Sequence, residues 1–178
     1  MKLTDKDKDI LLDIVKTSIA ARLAGRDFPD LQVESEILKE KRGAFVTLRK
    51  NGHLRGCIGY IEARKPLYQT VEEMAVAAAF HDPRFPQLNP EEFRQLSFEI
   101  SVLTPLQEIR DIHEIEVGKH GIYITNGLHT GLLLPQVATE HCWDRMTFLE
   151  ETCNKAGMPP RAWKDKDTKI YIFSADIF

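Results

Sequence analysis

Residues 53–59 read His-Leu-Arg-Gly-Cys-Ile-Gly, with a thiol two places after a guanidinium and glycines on either side of it. In a strand, where side chains alternate faces, Arg55 and Cys57 stand on one face roughly 6.6 Å apart, with Gly59 beside them as open floor. Leu54, Gly56, Ile58 and Tyr60 then share the other face, and Leu54 and Ile58 mark it as core. Gly56 between them reads as a place where a helix or another backbone comes close. The planar donor fork of Arg55 suits the anionic part of a ligand. It suits an internal carboxylate equally well. Glu99 is the partner that parity offers, because Phe98, Ile100 and Val102 take the apolar side of their strand and leave Glu99 and Ser101 on the other. A ligand-facing arginine, an internal ion pair and plain surface are all open readings.

Cys57 as a nucleophile needs a stabilised thiolate, and Arg55 on its face supplies part of that. No base is fixed by local spacing, although His53, His81 and His141 are available. The competing reading is a small apolar residue that fills space. Metal binding is the weakest reading: there is no H-E-x-x-H and no C-x-x-C, only His53 near Cys57 and the adjacent His141-Cys142. No metal and no cofactor are expected.

A second dense segment, Ala-Ala-Ala-Phe-His-Asp-Pro-Arg-Phe-Pro-Gln-Leu at 77–88, places Asp82 and Arg84 in a loop stiffened by two prolines, with Phe85 as an anchor. Asp82 and Arg84 either lock this loop to the body or line the same cleft as Arg55. Residues 39–55 carry six Lys and Arg against one Glu, partly on a hairpin tip that can meet phosphates. No nucleic-acid reader motif accompanies that run, so RNA binding stands as a further alternative. Trp143 and Trp163 read as structural.

These residues must be held by elements, and the local signals for those are strong. Thr4 with Asp7 forms a capping box before an amphipathic helix over 5–24. A short helix fits near 34–41. Residues 43–48 and 53–61 read as two strands joined at Asn51-Gly52, a pair that favours a tight hairpin. Pro66 suits the first turn of a helix whose stripe is Leu67, Val71, Met74, Ala75 and Ala78. Asn89-Pro90 opens a short helix, and 96–103 alternates as a strand. Gly-Ile-Tyr-Ile-Thr, Asn126-Gly127 and Leu-His-Thr-Gly-Leu-Leu-Leu repeat the strand–turn–strand order, followed by Pro135 and a helix that ends at Gly157. Residues 169–177 close the chain as one strand. Residues 113–116 read as a solvated turn or an edge strand. The order of 43–80 resembles that of 121–157, which suggests a duplicated hairpin-plus-helix unit in an α+β protein with mainly antiparallel sheets and flanking helices.

The 178 residues suffice for a real core as one compact domain or two interlocked lobes. A net charge of −3 gives no global field for nucleic acid or acidic membrane. Three cysteines without a paired motif fit a reducing cytoplasm. The N-terminus lacks the apolar stretch of a signal peptide, and the longest apolar run, at 74–80, is far short of a membrane span. A cytoplasmic protein is expected, with a monomer slightly favoured.

Gly-Ala-Phe-Val-Thr-Leu, His-Leu-Arg-Gly-Cys-Ile-Gly, Asp-Pro-Arg-Phe-Pro-Gln-Leu, Phe-Glu-Ile-Ser-Val-Leu-Thr-Pro, Leu-Leu-Leu-Pro-Gln-Val-Ala and the segment from His141 to Trp163 together resemble the AMMECR-domain family. That family is named after a human Alport-syndrome critical-region protein, and its prokaryotic members are called AmmeMemoRadiSam system protein A. The resemblance runs from about residue 5 to 178, so the chain reads as a single AMMECR domain over 1–178. It implies two unequal α+β lobes, with Arg55 to Gly59 part of a conserved patch near the cleft between them. Asp82, Arg84 and Phe85 match a second block of the family and Glu99 a third. It also implies partnership with a Memo-like protein and a radical-SAM protein. No reaction comes with it. A binding or accessory component, holding a small ligand or a partner in the cleft, is the favoured reading; a small enzyme using Cys57 or Asp82 is the alternative.

Overall fold

The computed structural model describes residues 2–29 and 31–178. In chain order its elements are helices α1 (Asp5–Leu23) and α2 (Glu36–Lys39), strands β1 (Ala44–Lys50) and β2 (His53–Tyr60), helices α3 (Leu67–Phe80) and α4 (Pro90–Phe93), and strand β3 (Leu96–Leu103). Strands β4 (Gln107–Ile109), β5 (Gly121–Thr125) and β6 (Thr130–Leu133) follow, then helices α5 (Pro135–Glu140) and α6 (Arg145–Lys155), and strands β7 (Lys169–Phe173) and β8 (Ala175–Ile177). The fold is α+β, with antiparallel sheets and flanking helices.

Two compact units divide the chain: one runs to Leu103 and includes Asp176–Phe178, the other is Thr104–Ala175. In the first, the strand order is β2-β1-β3-β8. Helix α1 starts where the sequence places it, because the Thr4 hydroxyl accepts from the Asp7 N–H while the Asp7 carboxylate accepts from the Thr4 N–H at 2.9 Å. Its apolar stripe, Leu11, Val15 and Ile19, is fully buried, as are Val71 and Ala75 of α3 and Val46, Leu48 and Ile100 of the sheet. The β1–β2 turn uses Asn51 and Gly52 at φ 52° and 79°, the left-handed pair a two-residue hairpin requires. Pro66 is the residue before α3 rather than its first helical one, in an extended conformation at ψ 142°.

The second unit has strand order β4-β7-β5-β6, with α6 against β5 and β6. Phe148, Leu149, Thr152 and Cys153 of α6 are fully buried, as their spacing predicts, and Gly157 at φ 72° ends the helix. Residues 112–114 form a 3-10 turn capped by Asp111, which agrees with a turn there. Strand β4 has no counterpart in the sequence reading.

The expected single strand over 169–177 is corrected to two strands in two sheets. Ser174 interrupts it: its N–H donates to the Thr104 hydroxyl at 2.8 Å and its carbonyl accepts from the Thr104 N–H at 2.9 Å. Beyond it the chain joins the first unit's sheet, where Ile100 and Phe178 exchange backbone hydrogen bonds of 2.8 and 3.2 Å.

Candidate functional site

Strand β2 lies at the edge of its sheet, so half of its backbone groups point away from β1 with no strand to meet them. At Cys57 they meet the 81–86 loop. The Cys57 N–H donates to Asp82 Oδ2 at 2.9 Å, and the Cys57 carbonyl accepts from Arg84 Nη2 at 3.2 Å. An acid and an arginine thus replace the acceptor and donor of a neighbouring strand. Asp82 is itself held by Arg84, which donates to Oδ1 from its backbone N at 3.1 Å and from Nε at 2.9 Å, and to Oδ2 from Nη2 at 2.7 Å. The Arg84 guanidinium, with the backbone N–H groups of Cys57 and Arg84, outweighs burial and holds the Asp82 carboxyl far below the ordinary carboxylate range. Only 4% of Asp82 is exposed, whereas the Arg84 side chain is half-exposed beside the ring of Phe85. These bonds tie the loop to β2, and Arg55 and Arg84 both lie over the Phe85 ring, 5.7 and 5.5 Å from its centre.

Arg55 is buried, and its carboxylate partner is Glu92, not Glu99. Its Nε donates to Glu92 Oε1 at 3.2 Å, and its Nη2 donates to Glu92 Oε2 at 3.0 Å and to the Pro86 carbonyl at 2.8 Å. Lys50 Nζ reaches Glu92 Oε1 at 3.2 Å. Arg55 first, then Lys50, lowers the Glu92 carboxyl to about 2. Glu99 pairs instead with Arg49, at 3.9 Å.

The physical reason is a bulge. Leu48 pairs with Gly56 and Arg49 with Leu54, so Arg55 is an extra residue in its strand. The bulge breaks the parity that put Arg55 on Glu99's face. It also moves Leu54 off the core face, leaving it 39% exposed instead of buried beside Ile58. The Glu92 signal in the sequence was only an acid in the first turn of a capped helix, and nothing local ties that helix to Arg55. Arg55 Nη1 remains buried and, among the described residues, has no hydrogen-bond partner.

The two glycines serve packing. A Cβ on Gly56 would stand 2.2 Å from the Ala78 carbonyl of α3, which is the close approach the sequence implies. Gly59 is not open floor: its face is filled by Phe45, whose ring would be 2.4 Å from a Cβ there.

Beyond the bulge the register places Cys57, Thr47 and Glu99 opposite one another on β2, β1 and β3, hence on one face. The Thr47 hydroxyl, itself buried, donates to Cys57 Sγ at 3.3 Å. Among the described residues no histidine hydrogen-bonds Cys57. His53 and His81 are exposed, and His141 stacks on Trp143 at 4.7 Å in the second unit. Among the described residues no three His, Cys, Asp or Glu side chains form a metal-binding group. No described helix is long and apolar enough to cross a membrane. In the basic run, Lys39, Arg42, Arg49, Lys50 and Arg55 are ion-paired to Glu36, Glu40, Glu99 and Glu92, so much of the charge that would meet phosphate is neutralised in place.

Comparison with known proteins identifies the family. The AMMECR1 family's sequence profile matches residues 12–178. Protein MK0488 of Methanopyrus kandleri is 40% identical over 186 residues, covering 99% of this chain and 90% of its own. A protein of Methanothermobacter thermautotrophicus is 44% identical over 181 residues, covering 94% and 91%. The crystal structure of the uncharacterized protein PH0010 from Pyrococcus horikoshii superposes with a TM-score of 0.93 at 39% identity, covering 99% of this chain and 93% of that one. The chain belongs to the AMMECR1 family.

Proposed function

We propose that this protein is a binding or accessory component, working with a Memo-like and a radical-SAM protein, and that the arginine-clamped edge of β2 is its working surface. The observation that carries this reading is the state of Asp82. The acid nearest the thiol segment is spent on a backbone N–H and a guanidinium, and its proton affinity is far too low for general acid or base work near neutral pH. What the surface offers is recognition: a half-exposed guanidinium at Arg84, an aromatic ring at Phe85, and a buried Arg55 with one nitrogen unfilled. The test mixes the purified chain with purified Memo-like and radical-SAM proteins and follows complex formation by light scattering and calorimetry. A complex with at least one of them, kept in Cys57→Ser and weakened in Arg84→Ala, is expected. Failure to associate with either would remove the reading.

One observation favours an enzyme instead: thiol, hydroxyl and carboxylate stand in register at Cys57, Thr47 and Glu99. That reading requires Cys57→Ser to abolish a turnover that Arg84→Ala leaves in place.

We further infer that residues 43–80 and 121–157 derive from one duplicated hairpin-plus-helix unit. Both hairpins are antiparallel, and the second strand of each carries a glycine at the closest approach of a helix. Gly56 meets Ala78 of α3, and Gly131 meets Thr152 of α6 and Ala156 just beyond it.

A further inference from the structure

Away from β2, the outer side of α3 borders an open groove of about 570 Å³ with Met74 in its floor. Glu72 and Glu73, and Val76 and Ala77 four residues later, lie along it as two adjacent pairs about one turn apart on the same side of the helix. The two acids differ sharply. Glu73 is satisfied: Lys65 Nζ donates to it at 2.8 Å and the Tyr60 hydroxyl at 3.4 Å. Glu72 is half-buried and, among the described residues, has no hydrogen bond or ion pair. Lys65 acts on it only through its field, and burial pushes its carboxyl up. A carboxylate facing a groove in this condition has lost hydration that a bound cation would restore.

The neighbouring surface says which cation. Val76 sits one turn beyond Glu72, about 6 Å along the axis, and Val76, Ala77 and Met74 offer aliphatic contact there. A hydrocarbon stem can lie on them while its ammonium stays at Glu72, the division of labour that lysine side chains show at protein surfaces. An anionic ligand is disfavoured here, since two carboxylates, Glu72 and Glu73, line the groove and Lys65 is committed to Glu73, although His81 and Gln69 also border it. The volume lies within the range of small-molecule sites. We propose that this groove binds a free aliphatic amine of the polyamine class, its ammonium on Glu72 and its stem along Met74, Val76 and Ala77.

Calorimetric titration at low salt with cadaverine, spermidine, 1-pentanol and a lysine-bearing peptide tests this on the intact chain. Cadaverine and spermidine should saturate a single site, and 1-pentanol should not bind. Glu72→Gln should weaken amine binding about tenfold or more. Val76→Lys places an ammonium four residues after Glu72, a helix-stabilising spacing; it should fold well and abolish binding by occupying the groove itself. Absence of saturable amine binding, unchanged affinity in either variant, or binding of the peptide without binding of the free amines would overturn the proposal.

Discussion

At Arg55 a guanidinium has given up most of its hydration and recovers it through Glu92 and the Pro86 carbonyl. Arg55→Ala removes the recovery for both partners and leaves the Glu92 carboxylate with Lys50 at 3.2 Å and a long hydrogen bond from Asn89 Nδ2 at 3.4 Å, so the cost should be about 3 kcal/mol or more in urea unfolding. A loss below about 1 kcal/mol would show the pair to behave as an exposed one. The same pair sets an acid limb. The folded carboxyl of Glu92 titrates at about 2, below its ordinary 4.5, so its contribution is complete above that ordinary value and drains away as pH falls towards the folded one. With its partial exposure discounted, this amounts to on the order of 2 kcal/mol, and Glu92→Gln should flatten that limb of the stability profile. The three thiols should also separate. Cys142 is exposed, Cys57 half-buried with Sγ accepting from Thr47, and Cys153 fully buried with its thiol pushed up by that burial. Alkylation followed by peptide mass spectrometry should label them in that order. Cys57 reacting ahead of Cys142 would revive the nucleophile.

At the scale of elements, β2 owes its position to contacts on two sides that the sequence shows unequally. Alternation over 53–60 and the Asn51-Gly52 turn reveal the hairpin, and Gly56 reveals the helix that approaches it. The bulge at Arg55 is invisible, because no residue type there demands one, and a single extra residue reverses every parity argument on its far side. Gly56→Ala sets a methyl against the Ala78 carbonyl of α3, and backbone cannot yield as a side chain can. It should cost about 2–4 kcal/mol. Gly131→Ala meets atoms of Thr152 and Ala156 at 2.7 Å and should cost a similar or smaller amount. Matched losses would agree with equivalent positions in two copies, whereas a neutral Gly131→Ala would separate them. On the outer side of β2, Asp82→Ala removes the acceptor for Cys57 N–H and leaves Arg84 only its hydrogen bond to the Cys57 carbonyl. Amide exchange at Cys57 should then rise well above that of the residues bonded to β1, while a protection factor equal to the wild type would mean the loop is held by other contacts.

Across the whole molecule, what was legible is what is local: the Thr4–Asp7 box, the two Asn-Gly turns, the alternation over 96–103 and the buried stripe of α6 each lie within a single element or hairpin. What was not legible joins distant segments. The Arg55–Glu92 pair spans 37 positions, and any of several acids satisfied the sequence equally. The division of 169–177 between two sheets depends on Thr104, 70 positions before Ser174. That division makes a prediction about how the chain unfolds. Asp176–Phe178 belongs to the first unit, where Phe178 pairs with Ile100, Asp176 binds Lys8 at 2.8 Å, and the Lys8 ammonium lies 5.0 Å from the centre of the Phe178 ring. Removing these three residues deletes the two Ile100–Phe178 backbone hydrogen bonds together with most of β8 and its pairing to β3, the Lys8–Asp176 ion pair and the Lys8–Phe178 contact, a loss on the order of 2–3 kcal/mol or more to that unit. Both tryptophans, Trp143 and Trp163, lie in the second unit, so their fluorescence reports that unit alone. The truncated chain should therefore lose far-ultraviolet ellipticity at lower temperature than the intact chain, while its tryptophan transition shifts less and the two probes cease to coincide. If both probes move together by the same amount, the two units unfold as one cooperative body and the terminal strand stabilises them jointly. If neither moves, the contacts of Phe178 and Asp176 with the first unit contribute nothing measurable.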